Sequence, residues 1–173
     1  MFNKKRTEKI FAFCDYVTKT FDKFIVGKLL DSLIIGLLAY IGFLILGIKY
    51  RLIFAVIIGL TNIIPYVGPF MGAIPVGILV FLYNPAMTIP VLLLIFLLQQ
   101  FDGSILGPKV LGDAIGVKPI AVIFAILVGG ALGGVLGMFL AVPTYVVIAD
   151  LVNKFIDERY HKNVVEKEVG KNE

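Results

Sequence analysis

Two carboxylates and three amides interrupt a sequence that is otherwise strongly apolar: Asp31, Asn62, Gln99, Gln100 and Asp102. A carboxylate inside a bilayer is costly, so Asp31 and Asp102 are candidates to bind a proton or a cation. Asp31 opens a hydrophobic run, with Lys28 three residues before it as a partner. It could equally stand at the membrane interface near a helix N-terminus, where negative charge is favourable. Asp102 could equally be solvated in a loop. Gln99 and Gln100 can bind polar solutes, or hydrogen-bond between helices at about 1 kcal/mol. Asn62 begins the run Asn62-Ile-Ile-Pro65-Tyr66-Val-Gly68-Pro69, whose prolines and glycine cannot continue a regular helix. Such a break frees backbone amides and carbonyls, tolerated at depth only when buried in protein or lining a wet cavity. The plainer reading is a turn between two hairpin helices, with Asn62 as a cap.

A second cluster is made of small residues. Gly129, Gly133 and Gly137 recur every fourth position, with Gly130 and Gly134 beside them. That spacing clears a helix face for close packing, and clustered glycines also make a hinge or a re-entrant turn. Pro143 follows this cluster as Pro75 follows the first break. Other chemistries are not supported. The single histidine, His161, lies in a polar tail, so a His-centred triad or a His-rich metal site in the apolar part is excluded. No phosphate-binding glycine motif with a lysine occurs. No enzyme activity, cofactor or metal is expected. The lone Cys14 excludes an internal disulfide, and its place on an apolar stripe predicts a small buried hydrophobe.

The elements that must carry these residues follow from hydropathy. Of 173 residues, 59% are hydrophobic and 16% charged, with a mean hydropathy of +0.97, outside the range of soluble domains. No Asp, Glu, Lys or Arg occurs in 32–48, 52–101 or 119–149. These runs suit a hydrocarbon layer of about 30 Å, so the fold class is an all-α, polytopic membrane bundle. The net charge of +4 comes from basic residues at helix ends, where the positive-inside rule places them, and nucleic acid is not an expected partner.

Three regions are expected. Residues 1–28 form an amphipathic cytoplasmic or interfacial helix, with Ile10, Phe13, Cys14, Val17, Phe21 and Phe24 at helical spacing over 7–28. Residues 29–155 form the transmembrane domain, and 156–173 a charged, disordered tail. Lys4, Lys5 and Arg6 precede no apolar h-region, so no cleavable signal is expected. Within the membrane domain, 29–47 is a first span, while 52–83 is too long for one crossing and too short for two. Two half-helices meeting at the Asn62–Pro69 break are expected there. A short helix, 86–101, leads into a polar loop, 102–118, and 119–149 repeats the broken pattern. Paired segments with matching interruptions point to a transporter's binding region. Broken crossings, re-entrant segments and full hairpins give four, two and six crossings; each count puts both termini on one side, cytoplasmic by the basic N-terminus.

The motifs Gly27-Lys-Leu-Leu-Asp31-Ser-Leu-Ile-Ile-Gly36, Asn62-Ile-Ile-Pro-Tyr-Val-Gly-Pro69, Gly72-Ala-Ile-Pro75, Gln99-Gln-Phe-Asp-Gly103, Leu106-Gly-Pro-Lys109, Gly129-Gly-Ala-Leu-Gly133 and Ala141-Val-Pro143 resemble those of the autoinducer-2 exporter family of permeases, in order and spacing. The resemblance covers about residue 20 to residue 155, the C-terminal half of usually longer proteins. It implies a multi-pass bacterial plasma-membrane transporter of a small polar solute, named for export of a quorum-sensing furanone. Some relatives are credited with sodium–proton antiport. The matched signature positions are Asp31, Asn62, Pro65, Gly68, Pro69, Gln99, Gln100, Asp102, Gly103, Pro108, Lys109, Gly129 and Gly130. A transport module is therefore expected, acting as a homo-oligomer or beside a longer permease; a cation–proton antiporter and a non-transporting or truncated subunit are the alternatives.

Overall fold

The computed structural model describes residues 4–107, 109 and 119–169. Among the described residues there are five α-helices: α1 (Lys4–Ile45), α2 (Arg51–Thr61), α3 (Gly68–Tyr83), α4 (Thr88–Phe101) and α5 (Pro119–Val169). A 3-10 turn, Pro85–Met87, precedes α4, and a π-helical turn, Asp102–Leu106, follows it.

The segments read separately as 7–28 and 29–47 are one unbroken helix, α1, of 42 residues. At 1.5 Å per residue it is about 63 Å long, more than a bilayer needs. No Pro or Gly pair interrupts 4–45, so nothing ends the helix before Gly47, whose φ of 69° turns the chain into α2. Cys14 is exposed rather than buried, because the N-terminal part of α1 projects past the main bundle.

The first broken segment folds back on itself. The α2 and α3 helices, of 11 and 16 residues, are about 16 and 24 Å long, each shorter than the hydrocarbon layer. They run antiparallel: a Cβ on Gly72 would touch Ile58 and Thr61, while Tyr83 at the far end stacks on Phe54 with ring centroids 6.3 Å apart. The expected pair of half-helices is therefore a hairpin. Gly68 permits it, since a Cβ there would lie 1.9 Å from the Thr61 carbonyl oxygen, and Tyr66 sits in the turn at φ 61°. The turn also uses its own backbone. The amides of Ile63, Ile64, Val67 and Gly68 donate to Leu60, Thr61, Pro65 and Ile64, so they are not free to coordinate a solute.

The second broken segment does the same more tightly. Although α5 reads as one helix, Gly133 (φ −136°, ψ 16°) and Gly134 (φ 57°, ψ −141°) leave helical geometry. A Cβ on Gly129 would lie 2.4 Å from the Gly137 oxygen and 2.7 Å from the Ala141 Cβ. In a straight helix, residues eight apart are about 12 Å apart. The arms on either side of Gly133–Gly134 thus lie antiparallel, glycine against glycine. The second arm holds Pro143 buried and continues past 155 to Val169. Helix-favouring Glu, Lys and Arg residues occur in this last stretch, and 170–173 lie outside the described residues.

Two clusters hold these parts together. Ile35, Ala39 and Phe43 of α1 pack on Phe54, Ala55 and Ile58 of α2, Val76 and Val80 of α3, and Val91, Ile95 and Leu98 of α4. A smaller cluster joins Phe24 of α1 and Ile64 of the first turn to Val122, Ile126 and Val142 of α5. The outer surface is apolar: Leu33, Leu37, Phe70, Leu82, Phe96, Phe124 and Leu136 are all exposed. Three described helical stretches, Phe11–Ile45, Pro85–Leu106 and Ile120–Asn153, are long and apolar enough to span a membrane, although the last is folded at Gly133–Gly134. This is an all-α membrane bundle with two hairpins.

Candidate functional site

The Asn62–Pro69 turn reaches α1 at Asp31. Four packing relations bring Asp31 there. Gly36 and Gly59 approach so closely that a Cβ on Gly59 would lie 3.1 Å from the Gly36 Cα, which locks α2 onto α1. Thr61 ends α2, and the Asn62 amide donates to the Ile58 carbonyl at 3.0 Å, leaving the Asn62 side chain free to point inward. On the other side Leu94 of α4 fills the space above Gly42 of α1, which places the end of α4 beside Lys28. The π turn then widens the backbone, the Gly107 amide reaching back to the Asp102 carbonyl, and turns Asp102 into the bundle. Single π turns of this kind occur frequently at functional sites.

The result is a buried polar cluster. Asp31 is 0% exposed, Asn62 1%, Lys28 4%, Ser32 5% and Asp102 9%. The Lys28 ammonium donates to Asp31 Oδ2, and Asn62 Nδ2 donates to the same oxygen at 3.1 Å. Lys28 Nζ lies 4.0 Å from Asp102 Oδ2. The Asp102 carboxyl also faces the side chains of Asp31 and Asn62. Asp31 Oδ1, Asp102 Oδ1 and Ser32 Oγ are buried without a hydrogen-bond partner. Buried polar atoms are rarely left so; Asp31 and Asp102 both reach Lys28, while Ser32 lines the apolar groove between α1 and α2 with Gly36 and Gly59.

This settles where each candidate lies. Asp31, Asn62 and Asp102 come together, and Asp102 is neither solvated nor in an open loop. Gln99 is partly buried, one turn before Asp102, with its Nε2 unpartnered. Gln100 is exposed and points away, as the 100° step between neighbouring helical residues requires. Pro65 and Pro69 are partly buried and shape the turn, Gly68 is buried at its base, and Tyr66 is exposed. Gly129, Gly130 and Gly137 form the crossing of the α5 arms, and Gly133 and Gly134 its exposed turn. Gly103 and Lys109 are exposed, and Pro108 and 110–118 lie outside the described residues. The sequence reading gave Lys28 only as a partner for Asp31; its contact with Asp102 has no signal in spacing, because it depends on how α4 packs.

The cluster lies between the two ends of the bundle. Lys49, Tyr50 and Tyr83 mark one end of the bundle, the tyrosine rings 5.7 Å apart and Lys49 Nζ 5.5 Å from the Tyr50 centroid. The other end is marked by Tyr16, whose hydroxyl donates to Asp150 at 2.5 Å, and by the exposed Asp15–Lys19 pair. Aromatic and charged residues gather at membrane–water boundaries. Asp31 is about 21 Å along α1 from Ile45 and about 12 Å from the exposed Lys23, nearer the Tyr16 end.

The sequence matches the AI-2E family transporter description across residues 1–157. The chain belongs to the AI-2E transporter family. Among relatives, YueF of Bacillus subtilis, a candidate transport protein by name, is 41% identical over 143 residues, covering 83% of this chain and 38% of YueF. YrrI of the same organism, named likewise, is 37% identical over 148 residues, covering 86% of this chain and 42% of YrrI. PerM of Escherichia coli, a candidate permease by name, is 31% identical over 136 residues, covering 78% of this chain and 38% of PerM. The chain thus spans about two fifths of the length of these AI-2E relatives. No solved structure matches it.

Proposed function

We propose that this chain is a module of a secondary transporter that moves a small polar solute across the bacterial cell membrane, and that the solute passes the Lys28–Asp31–Asn62–Asp102 cluster. The observation that carries this reading is a set of buried, partly unpartnered polar atoms inside an apolar bundle. Transporters build their sites where irregular or broken helices meet. Here a hairpin turn and a π turn both end on α1. In this reading α1 and α4 cross, while the α2–α3 and α5 hairpins re-enter from opposite faces, which keeps both termini cytoplasmic. Asp31, Asn62 and Gln99 line the path. The glycine crossing of α5, touching the first turn through Ile64, is the part that moves. The module acts with a second copy or a longer permease.

Reconstituted vesicles test this. Autoinducer-2 is the first solute to load, with a panel of other small polar solutes beside it. Flux is expected above that of empty vesicles, falling with Asn62→Ala or Gln99→Ala and unchanged with Gln100→Ala. Wild-type flux equal to that of empty vesicles for every solute, in a folded sample assembled with its copies or a longer permease, would sink the reading.

A further inference from the structure

We infer that the Asp31–Asp102 carboxyl pair, with Lys28 as its counter-ion, is a proton-binding site that holds one exchangeable proton. The argument begins with charge. The cluster contains one ammonium and two carboxyl groups, all on buried residues. With all three ionised it carries one uncompensated negative charge in a region closed off from water. Such a charge costs several kcal/mol even after relaxation, and buried groups neutralise instead.

Hydrogen bonding leads to the same count. Asp31 Oδ2 accepts from Lys28 and from Asn62, while Asp31 Oδ1 and Asp102 Oδ1 have no partner. The two carboxyls face each other. Two carboxylates cannot hydrogen-bond, since each only accepts; with one proton between them, one donates and the other accepts. That proton supplies a partner for an orphaned oxygen and brings the cluster to neutrality. The charged and polar groups facing the pair are Lys28 on α1 and Asn62 on the first turn. Among the described residues, the nearest charge on α5, Asp150, is held at Tyr16, about 22 Å along α1 from Asp31.

The proton has a structural consequence. Asp102 sits on the π turn that ends α4, and Lys28 spans 4.0 Å toward it from α1. Losing the proton leaves two carboxylates repelling each other across the α1–α4 contact, with one lysine to divide between them. Proton loss therefore loosens the end of α4 against α1, at the cluster the solute is proposed to pass.

Infrared spectroscopy of the purified chain in lipid nanodiscs tests this without any transport. Exposed Asp and Glu side chains are ionised at neutral pH, their usual values lying near about 4, so a protonated carboxylic carbonyl band at about pH 7 reports a buried group. The band is expected in wild type with and without sodium, and absent in Asp102→Asn. In Lys28→Met the counter-ion is gone, a second proton binds, and the band grows about twofold. Absence of the band in folded wild type, its loss on adding sodium, or an unchanged band in folded Lys28→Met would each overturn the proposal. The inference rests on the transport reading only for its consequence. A band without flux in every assembly leaves the proton site standing and removes the transporter; flux without a band does the reverse.

Discussion

Asn62 donates its side-chain amide to Asp31 at 3.1 Å across 31 positions of sequence, joining the first hairpin turn to the middle of α1. The Asn62 backbone already finishes α2, so the side chain is spared for this one tertiary bond. Hydrogen bonds to charged groups contribute about 1.5–3 kcal/mol in soluble proteins, and side-chain hydrogen bonds between helices inside membranes average about 0.6 kcal/mol. Asn62→Ala is expected to lower unfolding stability by about 1–2 kcal/mol. Titration with denaturing detergent, followed by helical circular dichroism, measures it. An unchanged midpoint would show that Asp31 does not depend on Asn62.

Lys28 is expected to matter more than any other single side chain in the cluster. Removing one member of a buried ion pair strands the other charge, at about 3–5 kcal/mol, whereas removing both is often tolerated. Lys28→Met should therefore be strongly destabilised, and Lys28→Met/Asp31→Asn closer to wild type than Lys28→Met alone. A double-mutant cycle on the same unfolding assay gives the coupling. Additive losses would mean that the two residues do not share one interaction.

Much of this was legible in the residues. Long uncharged runs announced the membrane bundle because lipid-facing helices need no polar side. The two interruptions announced themselves because Pro65, Gly68, Pro69 and Gly133–Gly134 cannot lie in straight helices. What the sequence left open was direction: a broken crossing and a hairpin use the same residues. Only the approach of Gly72 to Ile58, and of Gly129 to Gly137, separates the two. The meeting of Asp102 with Lys28 was not legible either, since it depends on the extra residue in the π turn and on Leu94 seating above Gly42. Cys14 misled because its helical stripe is apolar while nothing packs on it.

The glycines of the two turns should differ sharply in what they tolerate. Gly68→Ala puts a Cβ 1.9 Å from the Thr61 carbonyl oxygen, backbone that cannot swing aside, so the hairpin must open. Gly134→Ala meets nothing in space, but its φ of 57° with ψ of −141° is a conformation that costs a non-glycine residue about 1–3 kcal/mol. Gly133→Ala has open space and a negative φ, and should be near neutral. The expected order of unfolding midpoints is Gly133→Ala, then Gly134→Ala, then Gly68→Ala. A Gly68→Ala variant as stable as wild type would contradict the close approach of α3 to Thr61.

The fold-back of α5 makes a covalent prediction. A Cβ on Gly130 would lie 2.7 Å from the Met138 Cε and 3.0 Å from its Cγ, so short side chains at 130 and 138 face each other across the crossing. Disulfides form when the Cβ atoms are about 3.5–4.5 Å apart. In an unfolded-back helix the same residues would be about 12 Å apart along the axis, beyond any bridge. In a Cys14→Ser background, Gly130→Cys/Met138→Cys is therefore expected to oxidise within one chain, seen as loss of both free thiols without a dimer on a denaturing gel. The control is Gly130→Cys/Leu136→Cys, where Leu136 is exposed and should leave both thiols free. Thiols that stay reduced in the 130/138 pair under mild oxidant, in a folded sample, would mean that α5 runs straight and that the second hairpin does not exist.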